Sequence, residues 1–92
     1  MKKEDFFNTK IRVKNKEESI KIQKRMFELG FRWTKGKTEF LHIEEPFLYF
    51  DTHTMITFTS TKDEPYFNTQ DFKEITISDL GITINWKKRL SK

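Results

Sequence analysis

At 92 residues, 35% of them apolar, the chain has room for one hydrophobic core and not two. It contains no cysteine, which excludes a disulfide framework and a thiolate metal site and points to a reducing compartment. The formal net charge is +4, but Lys87, Lys88, Arg89 and Lys92 supply four of the 18 basic residues and leave 14 against 14 acidic ones, so the body is neutral and the basicity belongs to the tail. One α+β domain over residues 1–86 and a basic C-terminal tail at 87–92 are the expected organisation.

Ten phenylalanines, two tryptophans and two tyrosines make the expected core aromatic-heavy, each ring burying about 150–250 Å². No run approaches the ~18 consecutive apolar residues that span a bilayer, and Met1 to Phe7 lack the apolar stretch of a signal peptide. A cytoplasmic protein is expected, neither exported nor embedded.

Lys10-Ile11-Arg12-Val13-Lys14 alternates polar and apolar, the period of a strand with one face buried. Asn15 is placed to cap a helix, with Glu18 three residues on to reach back, and Gly30 to end it in the left-handed conformation. Ile22, Met26 and Leu29 cluster on the wheel, widened by Phe27 and Ile20, while Glu17, Lys21, Lys24 and Glu28 form a solvated opposite side with two opposite-charge pairs at i,i+4. Phe31 to Thr34 and Thr38 to Ile43 read as two strands of a hairpin turning at Lys35-Gly36-Lys37.

Phe47 to Asp51 and Met55 to Thr59 are two further strands joined by Thr52-His53-Thr54. Residues 60–71 are polar, contain Pro65 and read as the longest loop. Phe72 to Ile77 alternates again as a closing strand, and Ile82 to Trp86 is a possible sixth. The expected fold is α+β: one helix packed on a mostly antiparallel sheet of about five strands, in the order β-α-β-β-β-β.

Catalytic groupings are sparse. Gly30, Gly36 and Gly81 are the only glycines, which removes a phosphate-cradling loop, and the serines at 19, 60, 78 and 91 sit in no nucleophile motif. His42, Asp51 and His53 are the one grouping that adjacent strands would bring together for a metal or for acid–base work, although Asp51 and His53 have an ordinary turn explanation. Glu44-Glu45 and Asp63-Glu64 flank prolines and read as loop solubility. The protein is therefore expected not to be an enzyme, and to need no cofactor or metal.

Binding features are better represented. Arg32, Trp33, Lys35 and Lys37 lie within six residues, where cations can neutralise phosphate and an indole or the nearby Tyr49 can stack on a base. The alternative is a core tryptophan beside a solvated turn, and burial needs favour that alternative. In Phe47 to Asp51 both alternating sets are apolar, Phe47 with Tyr49 and Leu48 with Phe50. The second face needs a cover: the long loop, the tail or another copy of the chain, which makes a homo-oligomer an expectation.

Glu17-Glu18-Ser19 with Gln23, Phe27 to Trp33 with Gly36, Leu48-Tyr49-Phe50-Asp51, Ile56-Thr57, and Lys73 to Thr76 followed by Asp79-Leu80 give the chain a style that resembles small accessory proteins of tailed bacteriophages. Some such proteins counter bacterial defence, by occupying a host protein or by sequestering a nucleotide immune signal. The resemblance implies a host-directed binding role in the bacterial cytoplasm and transfers no binding residue. A host protein is the first expected partner, a small nucleotide held by a homo-oligomer the second, and a nucleic acid touched by the tail or the hairpin the third.

Overall fold

The computed structural model describes residues 2–69 and 71–82, with the side chains of Asp63 and Thr69 left aside. Its elements are β1 (Thr9–Arg12), α1 (Lys16–Leu29), β2 (Phe47–Phe50), β3 (Ile56–Thr59), α2 (Glu64–Thr69) and β4 (Lys73–Ile75). Among the described residues the strands form one sheet in the order β3-β2-β1-β4. The α+β class holds with one main helix. The sheet is mixed and four-stranded, because β1 pairs antiparallel with β2 and parallel with β4. The continuation past Ile82 and the basic tail at 87–92 lie outside the described residues.

α1 starts and stops where its caps dictate. The Asn15 side chain accepts from the Glu18 amide at 2.9 Å, and Glu18 Oε1 accepts from the Lys14 amide at 3.0 Å, so two amides at the helix entrance are satisfied. Gly30 takes φ 107°, and the Phe31 amide returns to the Met26 carbonyl at 2.8 Å. The buried side of α1 is Ile22 and Met26, flanked by Ser19 and Gln23, all with no solvent exposure.

Successive strand residues face opposite sides of the sheet. On one side Ile11, Val13, Leu48, Phe50, Ile56 and Ile75 join Ile22 and Met26 of α1 with Phe31 and Trp33 in the principal core. On the other, Phe47 and Tyr49 pack with Phe67 of α2 and with Phe72. The apolar second face, on which the expectation of another copy rested, is thus covered from within the chain.

Three local expectations are corrected. The hairpin over 31–43 does not form: Trp33 bridges Lys37 around a tight turn, Arg32 pairs instead with Met55 beside β3, and no regular strand follows up to Pro46. The Arg32 amide and carbonyl are bonded to Thr54 and Ile56, and the Leu41 amide and carbonyl to Gln23, so these groups are satisfied without a hairpin ladder. The loop expected over 60–71 contains a 3-10 turn at Thr61–Asp63 and then α2, with Pro65 in the first turn, where its missing amide costs nothing. The closing strand is parallel because the chain crosses from β3 at one edge to β4 at the other, and α2 lies on that crossover.

Candidate functional site

Within the segment from Arg32 to Ile43, Trp33 and Leu41 are both hydrogen-bonded to one side chain of α1. Gln23 is fully buried and uses both ends of its amide: Oε1 accepts from Trp33 Nε1 at 3.1 Å and from the Leu41 amide at 3.2 Å, while Nε2 donates to the Leu41 carbonyl at 2.7 Å and to Ser19 Oγ at 3.1 Å. Trp33 is 5% exposed and packs edge-on to His42 and Phe58, and the His42 ring stacks on Phe58 with centroids 3.8 Å apart.

Above these rings lies a depression of about 260 Å³ lined by Trp33, Thr34, Lys35, Lys37, Leu41 and His42. Lys35 (φ 66°) and His42 (φ 52°) on its rim both adopt left-handed backbone, which is uncommon outside glycine. Next to it in sequence, Phe40 is 46% exposed, with its ring stacked on Phe27 at 5.8 Å and 25°. The exposed Lys35 and Lys37 and the exposed Phe40, backed by Phe27, thus belong to one stretch of chain.

The five residues expected to hold a ligand do not converge. Lys35 and Lys37 reach solvent at the depression, but Trp33, although it lines the depression, is 5% exposed and offers little ring surface to a base. Arg32 places Nη1 on the carbonyls of Phe27 (3.0 Å) and Phe31 (2.7 Å), so that nitrogen is turned to the backbone at the end of α1. Tyr49 lies on the opposite side of the sheet, 5% exposed, with its hydroxyl 2.9 Å from Thr59 Oγ1. His42, Asp51 and His53 do not assemble either: Asp51 Oδ1 accepts from the His53 and Met55 amides at 2.8 and 3.0 Å and forms the turn between β2 and β3. Among the described residues no three histidines or carboxylates gather in a metal-binding group.

Sequence reasoning missed a second grouping, under α2. Lys10, Arg12, Phe47, Tyr49 and Phe67 meet there, and its signal was present in the alternation of β1, which puts Lys10 and Arg12 on the side away from Ile11 and Val13. Among the described residues no helix is long and apolar enough to cross a membrane. No family model, curated protein or solved structure matches the chain.

Proposed function

We propose that this chain is a non-enzymatic accessory protein of the phage type that suppresses a host function, antiviral defence in particular, by binding a host protein. The observation that carries the reading is Phe40, a large ring 46% exposed on a segment without regular secondary structure and supported from below by Phe27. Exposed aromatics with a rigid backing are the residues that dominate protein interfaces, and basic neighbours select the partner by charge. Lys35 and Lys37, exposed on the same stretch of chain, supply that charge, so the fitting partner offers an apolar pocket with carboxylates near it. The host-directed part of the proposal rests on the resemblance to phage accessory proteins, and the binding part on this surface.

The test is capture of the partner from a bacterial lysate with tagged protein, followed by titration of the purified pair. Phe40→Asp should weaken that pair by about thirtyfold, the equivalent of a hot-spot loss of about 2 kcal/mol. The fold should stay intact by circular dichroism, because half of the Phe40 side chain is already in water. A partner bound equally well by Phe40→Asp removes this surface from consideration.

A further inference from the structure

The face of the sheet away from α1 carries two cations opposite two aromatic rings. Lys10 is in register with Tyr49 and Arg12 with Phe47, and the two residues of each strand are two apart, so all four project from the same face. Rings and cations alternating on a sheet are the arrangement on which bases stack while phosphates are neutralised. This is the chemistry that the 31–37 segment fails to assemble.

α2 occupies that face group by group. The Phe67 ring lies on Phe47 with centroids 4.5 Å apart and 23° between planes, as a stacked base would. Lys10 Nζ sits 4.5 Å from the Phe67 ring centroid and donates to the Phe67 carbonyl. Arg12 keeps Nε on Glu74 of β4 at 3.0 Å and turns both remaining nitrogens to α2: Nη1 to Glu64 Oε2 at 3.3 Å and Nη2 to Asn68 Oδ1 at 2.6 Å. The guanidinium also lies 4.7 Å from the Phe67 ring centroid. An aromatic plane, an anion on the arginine fork and an oxygen at the lysine are thus all provided by three residues within one short helix, Glu64, Phe67 and Asn68.

We infer that α2 is an internal stand-in for a nucleotide, and that when it swings off the sheet this face takes a phosphate-bearing nucleobase, with the base on Phe47 or Tyr49 and the phosphate on Lys10 and the two Nη atoms of Arg12. Displacement is feasible because Phe67 is the fully buried side chain among those described in α2, whereas Tyr66 is 49% exposed and the Arg12–Glu64 pair is 44% and 57% exposed. The principal core lies across the sheet and keeps its packing when α2 leaves. Glu74 stays behind and holds the guanidinium by Nε, so its outer edge presents the two-pronged geometry that suits phosphate. A free nucleotide and a single strand share this chemistry. The proposal is independent of Phe40, which sits with Phe27 on the α1 side.

The experiment is fluorescence anisotropy of a labelled single-stranded oligothymidylate with the 92-residue chain, with AMP and GMP as competitors. Phe67→Ala should bind about tenfold more tightly than the wild type. Asn68→Gly, which loosens α2 without changing charge or removing the ring, should shift affinity the same way and guards against a misfolded Phe67 variant. Lys10→Met with Arg12→Gln should abolish binding, and hydrogen exchange across 64–69 should quicken when the oligomer is added. Displacement by the mononucleotides assigns the face to free nucleotides, and resistance to them assigns it to strands. Three results overturn the proposal: no binding by the wild type and both loosened variants, binding that survives the Lys10 and Arg12 changes and so belongs to the tail, or binding that leaves exchange in α2 unchanged.

Discussion

Gln23 sits among Lys21, Lys24 and Glu28 in the sequence, all three exposed, and nothing local distinguishes it from them. In the fold it has no exposure, and its amide meets four partners, three of which belong to the Trp33–Leu41 segment. Replacement by Leu keeps the volume but leaves the Trp33 indole N–H and the Leu41 backbone groups without acceptor or donor. Orphaned buried polar groups cost about 1–3 kcal/mol each, and Leu41 is partly accessible to water, so a loss of about 2–3 kcal/mol is expected. In a domain of this size that lowers Tm by about 10–20 °C in a thermal melt followed by circular dichroism. Ser19→Ala, which removes one of the four bonds, should cost less than about 1 kcal/mol. A Gln23→Leu protein that melts within a degree or two of the wild type would show that the network does not hold the segment. The burial of Trp33 was legible from the need of so small a chain for aromatic core, but the partner that fixes its indole was not, because a glutamine mid-helix signals nothing until position 41 is brought beside it.

At the scale of elements, what could be read in advance is what short-range chemistry decides. Both ends of α1 follow from Asn15, Glu18 and Gly30, whose partners lie within five residues. Asn15→Ala should therefore cost about 1 kcal/mol, visible as a fall of about 4–8 °C in Tm, with Asn15→Asp close to neutral because a carboxylate accepts the same amide and suits the positive end of the helix. Equal losses from both substitutions would mean that the side-chain bond to Glu18 contributes little. The elements that departed from expectation depend on distant partners. Arg32 pairs with Met55 in place of a hairpin strand, and β4 runs parallel because its neighbour is β1, more than 60 residues earlier. α2 is the most instructive case: a six-residue segment with Pro65 has no helical signal of its own, yet the apolar pair Phe47 and Tyr49 already required a cover, and Phe67 supplies it from the very stretch that composition marks as loop.

For the whole molecule, the two-sided packing of the sheet sets how stability is distributed. β1 is hydrogen-bonded on both edges, to β2 and to β4, and lies between the α1 core and the α2 cluster, whereas residues 38–46 belong to no strand or helix and are held by Gln23 at Leu41, by the ring contacts of Phe40 and His42 and by the Val13 amide on the Pro46 carbonyl. Amides open according to the local free energy of the unit that holds them, so three classes of exchange are expected by mass spectrometry. The β1, β2 and central α1 amides should open only with global unfolding, and those of 38–46 should exchange fastest. The intermediate class should be α2, attached by one buried ring, by the Lys10 ammonium on the Phe67 carbonyl and by an Arg12–Glu64 pair that is about half in water. Pairs that exposed are worth about 0–1 kcal/mol each, so α2 should open at least about 2 kcal/mol more readily than β1, a difference of about thirtyfold in protection. Protection of 64–69 equal to that of β1 would make α2 part of the cooperative core and would leave the basic-aromatic face beneath it permanently closed. Protection as low as that of 38–46 would leave the face open in the resting protein, and Phe67→Ala would then bring no gain in nucleotide affinity. The graded pattern is the one in which a cover holds the face shut at rest and still yields to a ligand that offers a ring and an anion together.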